Sequence, residues 1–115
     1  MTQNTSKITP LIKQQCTPCR GGVDPLRDED IQPYLKQLEA GWKVTDDRKL
    51  EKTFKFKNFR EALEFTNKVG HLAETQQHHP DIHLTWGKVK IQLWTHKIGG
   101  LHENDFILAA AIDKI

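Results

Sequence analysis

The spacing of apolar residues predicts that the ordered part of the chain begins with a helix. Within residues 28–38 the apolar side chains recur every three or four positions: Ile31, Tyr34, Leu35 and Leu38. This spacing places them on one face of a helix. Pro33 fits such a helix only near its first turn, where the missing amide hydrogen has no partner. Gly41 is predicted to end the helix.

Alternation of apolar and polar residues next predicts a β-hairpin. Residues 42–45 and 50–57 alternate in this way, and residues 46–48 connect them. Leu50, Phe54 and Phe56 share one face of the second strand. That strand is therefore predicted to be half buried.

A long one-sided helix is predicted to follow the hairpin. Asn58 is its candidate N-cap, and residues 59–78 keep an apolar stripe at helical spacing. Pro80 cannot continue a helix, and it biases His79 away from helical angles. The helix is therefore expected to end near His78.

A second hairpin and a final helix complete the predicted order. Residues 82–86 and 89–96 read as strands joined by Gly87 and Lys88, a Gly-first connection that favours a type II′ turn. The register with this turn pairs three sets of apolar residues on one face: Trp86 with Val89, Leu84 with Ile91, and Ile82 with Leu93. Residues 103–115 then read as a helix.

These elements predict an α+β fold with the order α-β-β-α-β-β-α. The four strands are expected to form an antiparallel sheet with the three helices packed on one face. With 115 residues the chain is the size of one domain. We expect a polar, turn-rich leader over residues 1–25 and a single domain over residues 26–115.

Composition narrows the possible environments and partners. The net charge of +2 gives no support to a nucleic-acid-binding protein, which usually has a strong basic excess. No apolar run approaches the ~20 residues of a transmembrane helix, and residues 1–15 carry no apolar core of a secretory signal. A cytoplasmic location without membrane contact is therefore predicted.

Cys16 and Cys19 form an isolated Cys-x-x-Cys pair within the leader. Zinc sites usually need four ligands, and no second cysteine pair is present. The pair is best explained as structural or incidental cysteines, with a redox pair or a histidine-completed metal site as the alternatives.

Three histidines form the most informative chemical pattern. His78 and His79 are adjacent and precede Pro80, and His96 lies one hairpin later. Imidazole exchanges protons near neutral pH. Extending the predicted hairpin register places His79 opposite His96, at the ~5 Å separation of cross-strand neighbours. Two imidazoles at that distance could hold one small substrate from two sides.

His78 is predicted to lie on the last turn of the long helix. A positive charge is favoured at that end of a helix, and Glu74 lies four residues earlier on the same face. Both effects favour a charged imidazolium, which suits a general acid.

The histidines allow two other interpretations. A single histidine is often a surface residue or part of a hydrogen-bonded cluster. Three histidines near one hairpin instead favour proton transfer. A zinc site built from the three histidines lacks an obvious fourth ligand, and the chain contains no HExxH motif. No metal site is predicted.

With these residues in view, the chain resembles the pterin-4a-carbinolamine dehydratase family. The resemblance covers residues 16–115 and is densest over Glu74-x-x-x-His78-His79-Pro80, Trp86, Thr95-His96, Gly100-Leu101 and Asp105. The Cys-x-x-Cys-Arg-Gly-Gly leader is similar to that of the bacterial branch.

The resemblance implies a hydro-lyase that dehydrates 4a-hydroxytetrahydrobiopterin to the quinonoid dihydropterin. This reaction recycles the cofactor of aromatic amino acid hydroxylases, so the resemblance also implies a functional link to such a hydroxylase. It further implies that the enzyme needs no metal or cofactor and forms a homo-oligomer, either a dimer or a tetramer.

The family's site residues correspond to two sets in this chain. The catalytic set is His78, His79 and His96, and the substrate-binding set is Glu74, Pro80 and Asp105. Our hypothesis is that His78 and His96 exchange protons while His79 holds the substrate.

One departure and one alternative accompany the resemblance. His102 stands where the family usually has a Ser or Thr helix cap, and Asp105 occupies the third position of that cap, which gives it a partly structural role. The alternative function is a non-enzymatic one, as a dimerisation partner or coactivator, or another pterin-binding role.

Overall fold

The computed structural model describes residues 11–14, 16, 23–45 and 48–115. The three α-helices of the described chain are α1 (Asp28–Leu35), α2 (Phe59–Gln76) and α3 (Glu103–Ile112). The four strands are β1 (Lys43–Thr45), β2 (Lys49–Lys55), β3 (Asp81–Thr85) and β4 (Lys88–Leu93). Short 3₁₀ turns occupy Leu11–Lys13 and His96–Ile98.

The strands form one antiparallel sheet in the order β1-β2-β4-β3. Val89, Ile91 and Leu93 alternate along β4 and are fully buried, which gives the sheet one apolar face. Val69 of α2 and Phe106 of α3 belong to the same buried cluster. The predicted α+β fold and its element order are confirmed.

The first helix is shorter than its apolar pattern predicts. It ends at Leu35, and single turns follow, in which Gln37 and Leu38 donate their N–H groups to residues three positions earlier. Pro33 lies in the second turn of α1, not near the first, and it cannot donate a helical hydrogen bond. The predicted continuation to Leu38 and the end at Gly41 were therefore wrong.

The second hairpin has a different register from the predicted one. Leu84 pairs with Val89 and Ile82 with Ile91, so the turn consists of Trp86 and Gly87. A shift of two residues leaves every side chain on its original face, and the apolar pattern cannot distinguish the two registers. Trp86, predicted to pair with Val89, is 69% exposed at the turn.

Contact with β2 accounts for the glycine at this turn. The N–H of Phe56, one residue beyond β2, donates to the carbonyl oxygen of Gly87 at 2.8 Å. A Cβ atom at position 87 would lie 3.0 Å from the carbonyl oxygen of Phe56. The close approach of the neighbouring chain therefore favours glycine at position 87, which is not the first residue of a II′ turn.

The long helix begins as predicted and ends earlier. The Asn58 side chain accepts the Glu61 N–H at 2.9 Å, which confirms the N-cap. At the other end, Gln77 adopts left-handed angles (φ 53°) and the His78 N–H donates to the Ala73 carbonyl at 3.2 Å. This turn is typical of a helix C-terminus. It leaves His78 outside the helix.

The described part of the leader joins the core. Leu11 is 1% exposed and belongs to the central cluster. Residues 1–10 and 17–22 lie outside the described residues, as do Asp46 and Asp47 of the first hairpin turn, so the boundary between residues 25 and 26 stays a prediction. No helix in the described chain is both long and apolar enough to span a membrane.

Candidate active site

A short, largely buried polar contact near the predicted site joins His78 to Asp105. The His78 Nε2 atom lies 2.6 Å from Asp105 Oδ1, and the two side chains are 12% and 0% exposed. The left-handed turn at Gln77 sets the position of His78, while Asp105 is the third residue of α3. The partly exposed imidazole of His78 is thus bound at Nε2 by the buried Asp105 carboxylate.

The hydrogen bonds accepted by Asp105 indicate which ring nitrogen of His78 carries the hydrogen. The other carboxylate oxygen, Asp105 Oδ2, accepts the Thr95 Oγ1–H at 2.9 Å and the His102 N–H at 3.0 Å. An ionised Asp105 carboxylate only accepts hydrogen bonds, and this assigns the Nε2–H tautomer to His78. In the neutral ring of that tautomer the lone pair lies on Nδ1, the atom that can take a proton.

His102 caps the helix that carries Asp105. Its Nδ1 atom accepts the Asn104 N–H at 3.0 Å, while its own N–H donates to Asp105 Oδ2. The two bonds form a capping box. His102 therefore serves as the cap at the position where the sequence resemblance implies a Ser or Thr.

We expect the His102 cap to be replaceable by a smaller cap but not by alanine. Because alanine offers no acceptor for the Asn104 N–H, His102→Ala is expected to lower the free energy of unfolding by about 0.5–2 kcal/mol. His102→Ser retains an acceptor and is expected to stay near the wild-type value. Urea unfolding of the two variants measures this difference, and equal losses in both would refute the capping role.

His79 is paired with Glu74. The His79 Nε2 and Glu74 Oε2 atoms are 2.5 Å apart, and the side chains are 59% and 77% exposed. The predicted pairing of Glu74 with His78 is wrong, because the helix ends at Gln76 and the chain turns before His78. So exposed a pair contributes little to stability, but it orients the imidazole.

Glu74, His79 and Pro80 all line one surface groove. The groove has a volume of about 510 Å³ and runs between α2 and β3. Three of the residues predicted from the sequence therefore share one open surface large enough for a small heterocycle. Their assignment to substrate contact stays a prediction.

His96 lies on a tight turn after β4. Its ring stacks on Trp94, with centroids 4.3 Å apart and planes 4° from parallel. The Lys49 Nζ atom lies 4.4 Å from the Trp94 ring centroid. The predicted pairing of His96 with His79 is wrong, since β3 and β4 pair only as far as Asp81 and Gln92.

One buried carboxylate connects the chain segments that carry the three histidines. Asp105 contacts His78, the neighbour of His79, through one oxygen and Thr95, the neighbour of His96, through the other. Sequence reasoning recognised the Thr95-His96 pair only as part of a motif and gave Thr95 no role. No residue pattern distinguishes a threonine that bonds a distant carboxylate from any other threonine.

Cys16 packs behind this network. Its Sγ atom lies 3.5 Å from the Asn104 carbonyl oxygen. Burial raises the pKa of the Cys16 thiol to about 11, and the nearby Asp105 carboxylate adds to the rise. The thiol is therefore protonated at neutral pH, whereas metal ligation and redox chemistry need the thiolate. Cys19 lies outside the described residues, so the role of the Cys16 and Cys19 pair stays a prediction.

The candidate metal ligands of the described residues are not grouped around a common point. Within residues 11–14, 16, 23–45 and 48–115, no three His, Cys, Asp or Glu side chains are arranged to hold a metal ion. The contacts of the described histidines are instead with carboxylates, an amide and an indole ring.

Comparisons with known sequences agree on one family. A family model described as pterin 4 alpha carbinolamine dehydratase matches residues 24–115. A protein of Alkaliphilus metalliredigens, provisionally named a pterin-4-alpha-carbinolamine dehydratase, is 55% identical over 104 residues, which cover 90% of this chain and 94% of the relative. A Rubrobacter xylanophilus protein with the same provisional name is 49% identical over 108 residues, covering 94% and 100%.

Two solved structures share the fold. A Brucella melitensis protein described as a transcriptional coactivator/pterin dehydratase aligns with a TM-score of 0.73 at 29% identity, over 79% of this chain and 97% of that one. A pterin dehydratase-like protein described as a RuBisCO assembly factor in the alpha-carboxysome aligns with a TM-score of 0.57 at 23% identity, over 66% and 89%. The second likeness concerns the fold alone.

Proposed function

This chain belongs to the pterin-4a-carbinolamine dehydratase family, as its sequence motifs indicated, and on that premise we propose that it is a hydro-lyase acting on a pterin 4a-carbinolamine. The observation that carries the proposal is the contact of His78 Nε2 with the buried Asp105 carboxylate. This contact leaves the Nδ1 lone pair of a partly exposed imidazole available for proton transfer.

The proposed reaction moves two protons. Loss of water from the carbinolamine requires one proton to reach the departing hydroxyl group and another to leave the pterin ring nitrogen. The C–O bond breaks, a C=N bond forms, and the products are water and the quinonoid dihydropterin. Positioned acid and base groups accelerate such a step by roughly 100- to 10,000-fold.

His78 and His96 are assigned the two proton transfers. Because His78 lies outside the helix and Glu74 contacts His79, His78 is assigned the role of base and not the general-acid role suggested by its predicted position. His78 Nδ1 takes the proton from the ring nitrogen, and the Asp105 carboxylate stabilises the resulting imidazolium, as in other carboxylate–imidazole pairs. His96 is exposed and exchanges protons readily with water, so it is assigned protonation of the hydroxyl group. After each turnover, solvent returns both rings to their starting states.

The remaining residues are assigned to binding and orientation. His79 and Glu74 line the open groove and are assigned to holding the substrate, with Pro80 beside them. Asp105 is completely buried, so it acts behind His78 and not on the substrate. In this proposal the product is recycled for an aromatic amino acid hydroxylase, and the protein works as a homo-oligomer.

A direct assay tests the proposed function. Freshly generated 4a-hydroxytetrahydropterin is mixed with the purified protein in a stopped-flow spectrometer, and formation of the quinonoid dihydropterin is followed. We expect a saturable rate well above that of the spontaneous dehydration. A rate equal to the spontaneous one would refute the dehydratase proposal. It would instead favour a binding role of the kind named for the Brucella structure.

A further inference from the structure

We propose that Thr95 is a positioning residue that, through Asp105, fixes His78 Nδ1 as the proton-exchanging atom. The inference deepens the proposed dehydratase function and rests on it for its kinetic consequence. Its geometric part concerns one hydrogen bond, from Thr95 Oγ1 to Asp105 Oδ2 at 2.9 Å.

The Thr95 side chain is held in place by its surroundings. The residue is 4% exposed. Its backbone N–H donates to the Gly100 carbonyl at 2.8 Å, and the two residues form an isolated β-bridge. The backbone at position 95 is thus anchored across the turn that carries His96. An anchored backbone points the hydroxyl group toward the start of α3, where Asp105 lies.

Asp105 needs an anchor from outside its own helix. The torsion that rotates a carboxylate group about its Cβ–Cγ bond is soft, with broad preferences. The His102 N–H also donates to Oδ2, but His102 and Asp105 are three residues apart at the same helix end. Thr95 supplies a second donor from a different chain segment. Two donors on Oδ2 hold the carboxylate plane so that Oδ1 faces His78.

Loss of the Thr95 hydroxyl group would loosen this arrangement. With one donor remaining on Oδ2, the carboxylate plane can turn away from His78 Nε2. The Nε2–H tautomer then loses its specific stabilisation, because the preference between the two ring tautomers depends on the hydrogen bond at the other nitrogen. A fraction of His78 would carry its hydrogen on Nδ1, where it cannot act as a base.

Three variants separate positioning from a purely structural role. Thr95→Val keeps the shape and removes the hydroxyl group, whereas Thr95→Ser keeps the hydroxyl group. Thr45→Val is the matched control, because the Thr45 hydroxyl group is buried and has no hydrogen-bond partner among the described residues. Each variant is measured for kcat, KM, melting temperature and the ¹⁵N chemical shifts of the His78 ring.

We expect Thr95→Val to lower kcat by about 10- to 100-fold, by analogy with the loss of groups that orient metal-bound histidines. KM should change less than kcat, and the His78 ¹⁵N shifts should move toward a mixture of tautomers. Thr95→Ser should restore both kcat and the shifts, and Thr45→Val should change neither. In a His78→Gln background, Thr95→Val should cause no further loss of kcat, because residues that act as a unit are not additive.

Several outcomes would overturn the inference. Unchanged His78 ¹⁵N shifts in Thr95→Val would do so, as would equal losses of kcat with and without His78. If Thr95→Val does not fold, Thr95→Ala is read by the same criteria. If the wild-type protein shows no dehydratase activity, the proposed function fails. The ¹⁵N shifts then still decide whether Thr95 fixes the tautomer of His78.

Discussion

Replacement of His78 by glutamine is expected to lower kcat roughly 100- to 10,000-fold, the usual worth of a positioned acid or base. Glutamine can still place an amide N–H near Asp105 Oδ1, so the buried carboxylate keeps a partner. What is lost is a group that takes and releases a proton near neutral pH. Because binding does not depend on that proton transfer, KM should change much less than kcat.

Two companion variants give this experiment its controls. His83 lies on β3 and contacts Gln92 at 3.4 Å, outside the Asp105 network, so His83→Gln should leave kcat unchanged. His79→Gln should mainly raise KM, because His79 lines the groove and is assigned to substrate binding. Stopped-flow kinetics with the carbinolamine provide both constants. A His78→Gln variant with wild-type kcat would remove His78 from the mechanism.

Replacement of Asp105 by asparagine is expected to lower kcat by about 100- to 10,000-fold as well. The asparagine oxygen can accept from Thr95 and His102, but its NH₂ group would then face His78 Nε2–H. Two donors cannot form a hydrogen bond, so His78 would move its hydrogen to Nδ1. The His78 ring would keep its position, but its Nδ1 atom could no longer accept a proton.

Asp113 offers a matched control for the effect of burial. Its side chain is 3% exposed, and its carboxylate accepts hydrogen bonds from Trp42 and Lys52 at 2.9 Å each. Both carboxylates lie at ends of α3, but only Asp105 contacts a histidine. Asp105→Asn and Asp113→Asn should each lose about 1–3 kcal/mol of stability. Only the first should lower kcat.

Thermal unfolding and stopped-flow kinetics on the same preparations distinguish the two effects. If kcat falls in proportion to stability in both variants, Asp105 supports the fold and nothing more. If only Asp105→Asn loses kcat, the carboxylate acts through His78. The ¹⁵N shifts of the His78 ring then report the change of tautomer directly.

Local patterns predicted the elements because each depends on nearby residues. The apolar stripe of α2 and its Asn58 cap are set within one helix, and the alternation along β4 is set within one strand. The family motif also predicts His78, His79 and His96 as site residues from the sequence alone. Periodicity and capping are local properties, so sequence reasoning can reach them.

The pairings within the site were not predictable in the same way. The hairpin register differed by two residues from the predicted one, and such a shift leaves the apolar faces unchanged. In the observed register Gly87 accepts a hydrogen bond from Phe56, a residue outside the hairpin. Likewise, the left-handed turn at Gln77 places His79 in contact with Glu74 and His78 in contact with Asp105.

By itself, the sequence determined the order of the helices and strands, the faces that are buried and the three histidines that are candidates for the site. Only the tertiary structure decided which carboxylate meets which imidazole and which ring nitrogen is left free. The physical reason is that a hydrogen bond needs its two atoms within about 3 Å. Thr95, His78 and Asp105 reach that separation through the packing of the turn after β4, the turn after α2 and the start of α3, which no single segment specifies.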